Sequence, residues 1–179
     1  MTMADAIGYR KFYHLEEYLL GEVGPRFRTS GIIRPIDMFM IFIWKANRAK
    51  TKIRDNLKKR ANGNFGDAVT KIAAALSATK DRKERLAILM RDWGLRLPVA
   101  SAILTVLYPT DFTVYDTRVC KMLGLDYRPW LAFSENSWIE YEHYRKTVCS
   151  NTPPGLTLRN RDKYLWGKSL WTDAKAAVR

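Results

Sequence analysis

One aspartate stands where its chemistry would be most useful. Asp116 follows Val114-Tyr115 and precedes Thr117-Arg118-Val119, where a helix is expected to begin. A helix N-terminus carries partial positive charge and favours the ionised carboxylate. There the side chain has two possible uses. It can cap the helix by accepting a backbone N–H, worth ~1 kcal/mol, or it can steady a developing positive charge and orient or deprotonate a water. Around it in sequence lie Tyr108, Phe112 and Tyr115, and Trp44 occurs earlier; each is either core packing or the wall of a pocket for a planar group. Two cysteines (Cys120, Cys149) and two histidines are too few for a disulfide framework or a zinc site, and no metal or other cofactor is expected.

The elements that must position Asp116 are legible upstream. Trp93-Gly94-Leu95-Arg96-Leu97-Pro98-Val99-Ala100 reads as a helix end, a tight turn at Gly94 and a new helix opening at Pro98, where a missing N–H costs nothing. Ala100, Ile103, Leu104 and Leu107 follow at i, i+3, i+4, i+7, one apolar face, and Tyr108-Pro109 ends that helix.

Hairpin, apolar helix, short loop, then an aspartate opening a helix: this order resembles the helix-hairpin-helix superfamily of base-excision DNA glycosylases. The family's hairpin reads Leu-Pro-Gly-Val-Gly, a basic residue and Thr/Val-Ala, with Val-Asp-Thr/Val-His/Arg-Val about twenty residues on. Gly94 occupies a hairpin glycine, Val99-Ala100 follows at matching distance, and Asp116 lies 22 residues beyond Gly94. Arg96 replaces the second hairpin glycine, and only about 30 residues match closely. The resemblance implies that Gly94, Leu95, Arg96, Leu97 and the amides of Val99 and Ala100 grip DNA phosphates without reading sequence. It implies that Asp116 stabilises an oxocarbenium-like sugar, and that Asn47, after Ala46, fills the gap left by a flipped base. Trp44, Tyr115, Tyr108 and Phe112 would hold that base by stacking. Strand-cleaving members use a lysine just after the hairpin; that position falls at Pro98 with Leu97 beside it, so a water-using, monofunctional enzyme is implied, with Lys121 a less favoured substitute nucleophile. The iron–sulfur cluster of some members has no cysteines to hold it here.

Composition fits such a partner. Formal net charge is +13 over 179 residues and the pI is about 9.9, an excess that favours a polyanion, nucleic acid first. From Lys45 to Arg60 there are eight basic residues against one acid, Asp55. Such a run is commonly a solvated helix face; following an apolar helix, it is expected to face phosphates, with Lys45 and Arg48 in contact. A hydrophobic fraction of 47% with 27% charged residues is that of a folded protein. Met1–Asp5 lack the basic start and apolar core of a signal peptide. The longest apolar run, Met38–Trp44, is far below the ~20 residues that span a bilayer. A monomeric, cytoplasmic, DNA-associated protein is expected.

Along the chain, residues 9–20 read as a helix and 21–34 as a loop marked by Gly24-Pro25, with Arg26 and Arg28 either solvated or on phosphates. Pro35 opens a helix whose apolar stripe is Ile36, Phe39, Met40 and Ile43. Asn62-Gly63-Asn64 is a turn; Val69, Ile72, Ala73 and Leu76 mark a helix. Asp81-Arg82-Lys83-Glu84 starts another, buried through Leu86, Leu89, Met90 and Trp93. Thr117–Leu123 stops at Gly124. Residues 125–136 are irregular and aromatic, helices follow near 137–148, 159–170 and 172–178, and Phe112–Tyr115 is an isolated run of strand propensity. The fold class is all-α: one unit, 1–179, which the resemblance divides into a helical barrel, 35–124, and a lobe of the two ends, 1–34 with 125–179.

The reading reached is a DNA glycosylase acting on a damaged or modified base in double-stranded DNA and leaving an abasic site. A non-catalytic helix-hairpin-helix DNA-binding protein keeping Asp116 as a cap is the alternative, and a basic helical RNA-binding protein a third. Thr117 after the aspartate disfavours the adenine-mismatch branch, where glycine is usual.

Overall fold

A computed structural model describes residues 8–178, so the reading of Met1–Asp5 lies outside the described residues. The fold is all-α, with no strand among the described residues. None of the described helices is long and apolar enough to cross a membrane. The chain divides into two compact units: Met1–Lys80 with Val106–Tyr108, and Asp81–Thr105 with Pro109–Arg179. This is not the expected division at 34/35 and 124/125, and the polar cores of the two units give the reason.

The first unit begins with α1 (Leu15–Tyr18), which widens into a π-helical turn (Leu19–Val23) and continues as α2 (Gly24–Ser30). The expected loop over 21–34 is therefore mostly helix. Gly24-Pro25 does not break it: Val23 and Gly24 keep right-handed helical backbone, and the proline directly follows the π-helical turn, in the first turn of α2. Gly24 is demanded by proximity: a Cβ there would collide with the Val106 carbonyl oxygen. Next come α3 (Pro35–Ala46), α4 (Lys50–Ala61) and α5 (Phe65–Ala78). Asn62 in the left-handed conformation ends α4, and an Asn64/Asp67 capping box opens α5. Val69, Ile72, Ala73 and Leu76 are buried as expected.

The stripe assigned to α3 is out of phase. Met38, Ile41 and Phe42 are buried, whereas Ile36 is 52% exposed. The displaced phase follows from Asp37, an acid that the periodicity placed outside and the fold places wholly inside. It accepts the Tyr18 hydroxyl at 2.5 Å and Arg34 Nε at 2.7 Å, and it pairs with Arg26. Arg26 is thus engaged by an internal acid while staying partly solvated, and Arg28 donates to the Leu107 carbonyl at 3.0 Å. Tyr18, Arg26 and Arg34 all come from residues 8–34 and converge on α3, which is why that segment belongs with 35–80.

The second unit is built around α7 (Leu97–Leu107), preceded by α6 (Arg82–Ala87) and a π-helical turn (Ile88–Asp92). Every residue from Val99 to Leu107 is buried, so α7 is a central helix rather than a one-faced one. After it come α8 (Thr117–Met122), α9 (Glu135–Ser150) and α10 (Leu158–Ala177). The two helices expected over 159–178 are one, since nothing between Leu170 and Thr172 breaks the pattern.

Phe112–Tyr115 runs extended and buried with no neighbouring strand. Buried backbone groups need partners, and side chains supply them. Tyr141 Oη accepts the Thr113 N–H at 3.0 Å and donates to the Thr113 carbonyl at 2.8 Å. Tyr144 donates to the Val114 carbonyl at 2.7 Å, and Ser101 Oγ accepts the Tyr115 N–H at 3.0 Å. Asp162 accepts the Val114 N–H at 3.2 Å and the Thr113 hydroxyl, and pairs with Arg159. Helices α9 and α10 are thereby bound to the segment before Asp116, and residues 125–178 belong with 81–124.

Both polar centres give measurable outcomes. Burial works to raise the Asp37 carboxyl, but hydrogen bonds from Arg34 and Tyr18 and the Arg26 charge outweigh it and hold it below its ordinary range. Its stabilisation is therefore complete above the unfolded carboxylate value, about 3.9, and is lost as pH falls through the lower folded value. Asp37→Asn should flatten the acid limb of stability against pH and cost about 1.5–3 kcal/mol at neutral pH, because its arginine partners remain partly solvated. Denaturant titrations of both proteins from neutral pH to about pH 2 would check this. Asp162→Ala strands two buried donors and an arginine, and its cost should reach about 3–5 kcal/mol, visible as a large drop in Tm.

Candidate functional site

The turn at Gly94 forms as its sequence demands. Gly94 has φ +64°, the Trp93 N–H donates to the Ile88 carbonyl at 3.2 Å, and the Leu95 N–H reaches back to Leu89 at 3.0 Å. A left-handed glycine closed by a backward bond is a standard helix stop. The π-helical turn before it widens the helix end; such turns recur at functional sites.

The amides assigned to phosphate are used inside the protein. Leu97 opens α7 and donates to the Trp130 carbonyl at 3.2 Å, Pro98 has no N–H, and Val99 and Ala100 both donate to the Arg96 carbonyl at 3.0 Å. A helix normally leaves its first N–H groups unsatisfied. Here the first turn is already satisfied or lacks the donor. The side chains of Leu95, Leu97, Val99 and Ala100 are buried, whereas Gly94 and Arg96 are exposed. The hairpin thus presents a guanidinium where an amide cradle was expected. The guanidinium is there because Arg96 stands at the second glycine position of the resembled hairpin.

Asp116 caps α8 with φ −130° and accepts the Arg118 N–H at 2.9 Å. It is half-buried, fixed behind by the pinned segment 112–115 and ahead by α8, which is tied to α10. Arg118 pairs with Asp173 at 2.6 Å and Lys121 with the same acid at 3.6 Å. Lys121, the substitute nucleophile considered, is thereby engaged in an ion pair with α10.

The aromatic residues separate into two groups. Phe112 is fully buried and stacks on Tyr141 at 6.1 Å, so it is core and not pocket. Tyr115 is 1% exposed; its hydroxyl donates to Glu140 at 2.7 Å and accepts the Arg128 N–H at 3.3 Å. Burial, then the Glu140 hydrogen bond, push its phenol well up, so it stays neutral. Its ring stacks on Tyr127 at 5.3 Å and 18°. Tyr127 is 36% exposed and is the ring available at the surface. Sequence reasoning left it in an irregular aromatic segment; its position eleven residues after the aspartate held no periodic signal. Behind Tyr115 a cavity of about 230 Å³ is lined by Tyr115, Tyr144, Cys120, Leu125, Asp126, Arg128, Glu140 and His143.

The Tyr127 phenol is held above its ordinary range. Burial raises its phenol first, the Asp116 and Cys120 charges raise it further, and the Arg96 charge opposes them. The hairpin is joined to the segment that carries Tyr127 by the hydrogen bond from the Leu97 N–H to the Trp130 carbonyl. Trp130, which receives the Leu97 N–H, has φ +21° and a buried indole N–H without a partner. For a bulky residue that backbone is strained, and strain of this kind collects at working sites.

The remaining residues lie in the first unit. Tyr108 packs edge-on against Phe27 at 5.6 Å and donates to the Leu76 carbonyl at 2.9 Å, a structural role. Trp44 and Lys45 are half-buried at the end of α3. Asn47 is exposed at the corner before α4, held by Lys50 Nζ on its side chain at 2.7 Å and its carbonyl at 3.0 Å. Arg48, Lys52, Lys58 and Lys59 are exposed. They have no acidic partner among the described residues, so this corner and α4 form a cationic surface.

Gly94→Ala should destabilise the second unit by about 1–2 kcal/mol, the cost of a Cβ in the left-handed region. Thermal melts of the two proteins would measure it.

No family model, no curated protein and no solved structure matches this chain.

Proposed function

We propose that this protein is a monofunctional DNA glycosylase, flipping a modified base from duplex DNA and hydrolysing its N-glycosidic bond. The observation that carries the reading is Asp116, held half-buried at the start of α8 behind the pinned segment 112–115, in a unit whose hairpin exposes Arg96. A sugar losing its base acquires oxocarbenium character, and a carboxylate held beside it stabilises that charge and orients the attacking water. A guanidinium one hairpin away suits the flanking phosphate, and Arg binds phosphate through two parallel N–H groups. An aromatic face at the surface suits an unstacked base. The cationic corner at Asn47–Arg48 and α4 supplies the sequence-independent attraction that duplex DNA requires. Water is the nucleophile: Pro98 replaces the family lysine and Lys121 is ion-paired. The protein would act as a monomer.

A second reading has its own observation. The Asp116 carboxylate already serves as a helix cap, as it would in a non-catalytic helix-hairpin-helix protein. Asp116→Asn separates the two, because Asn caps as well as Asp while lacking the charge. The variant should melt with wild type and bind duplex with unchanged affinity. It should lose base release by at least about a hundredfold, the scale of one electrostatic group in a transition state. Mass spectrometry of free bases from a panel of modified duplexes is the measurement, with borohydride yielding no trapped adduct. Silence of wild type across a broad panel, with duplex binding intact, would establish the non-catalytic reading.

A further inference from the structure

A second surface, independent of Asp116, lies on α10. Only Asp162, Leu165 and Ser169 of this twenty-residue helix are buried. Tyr164, Lys168, Trp171 and Lys175 recur at i, i+4, i+7 and i+11, which places them along one face. Tyr164 is 44% and Trp171 64% exposed, and both lysines are exposed. Lys175 Nζ sits 5.4 Å from the centre of the Trp171 ring, within cation–π range. The two acids of the helix face away from this row and are engaged elsewhere, Asp162 by Thr113 and Asp173 by Arg118. Lys168 has no acidic partner among the described residues. Two large rings and two cations on one solvent-facing row do nothing for the core.

We infer that this row is a docking surface for single-stranded nucleic acid, separate from the Asp116 site. Rings that stack on bases and cations that follow the backbone are the two components of sequence-tolerant strand binding. Ring and cation alternate along the face at successive turns, matching a ligand that offers both bases and phosphates. A membrane-surface helix instead segregates its rings from its lysines, with the apolar face buried in lipid. Duplex DNA hides its base faces and meets only the lysines. The surface holds an unpaired strand through the Tyr164 and Trp171 rings, with Lys168 and Lys175 on its phosphates.

Fluorescence anisotropy of a labelled oligothymidine and a blunt duplex with the full chain tests this. Trp171→Ala and Tyr164→Ala should each weaken single-strand binding on the order of tenfold and leave duplex binding unchanged. Trp171→Phe should retain most of the affinity. Lys168→Gln with Lys175→Gln should reduce the slope of log affinity against log salt by about 1.4. All these side chains are solvent-exposed, so circular dichroism melts should match wild type. Single-strand affinity unchanged by either ring substitution would overturn the proposal, as would an equal loss on duplex. Binding to anionic phospholipid vesicles that depends on Trp171, with none to the oligonucleotide, would overturn it in favour of a lipid surface. Loss of base release in Asp116→Asn bears only on the catalytic reading and leaves this one standing.

Discussion

The second unit depends on one constraint: a buried, extended backbone from Phe112 to Tyr115 that has no strand beside it. Burying an unpaired amide or carbonyl costs as much as a lost hydrogen bond or more, so each polar group of that segment must find a partner. Two tyrosines on α9, a serine on α7 and an aspartate on α10 provide them. The arrangement draws three helices onto four residues that lead directly into Asp116. A carboxylate meant to act on a reacting atom gains from such support, because its geometry is fixed before substrate arrives. The scaffolding is what burial of the segment itself requires, and it holds Asp116 whichever role the carboxylate has.

The first unit solves a comparable problem with charge. Asp37 is inside because three neighbours supply it with hydrogen bonds and positive charge, and those neighbours span from α1 to α3. A buried pair of this kind is weak evidence for net stability, since desolvation offsets attraction. Its effect is better described as registration. Only one rotation of α3 brings Asp37 to Tyr18, Arg26 and Arg34 at once, and that rotation sets which apolar residues face inward.

This explains which parts of the chain were legible. Helix starts and stops with local chemistry were readable: Pro35, the Asn62-Gly63-Asn64 turn, Gly94 and the cap at Asp116 each depend on a few adjacent residues. The apolar face of α5 was readable because its polar residues stay outside. The phase of α3 was not, because an ionised residue in the core inverts the rule on which periodicity rests. Gly24-Pro25 misled for a related reason, since the glycine answers to a carbonyl some eighty residues away. The aspartate and the hairpin turn were legible as a spacing, whereas Tyr127 and Trp130 were not. Their contribution exists only once α7 and the irregular segment share a hydrogen bond between Leu97 and Trp130.

Arg96 is where the sequence departure and the structure meet. A glycine at that position leaves the backbone open to a phosphate; an exposed arginine offers instead a charge at the end of a flexible stem. The amides that a glycine hairpin would present are already spent on Trp130 and on the Arg96 carbonyl. Binding by a guanidinium differs in kind from binding by fixed amides: it tolerates a wider range of phosphate positions and depends more steeply on salt. On the proposed reading, a hairpin of this type would locate a strand less rigidly than fixed amides do. The pinned segment 112–115 and the Tyr115–Tyr127 stack hold their groups by separate contacts, joined to the hairpin helix through the Leu97–Trp130 hydrogen bond.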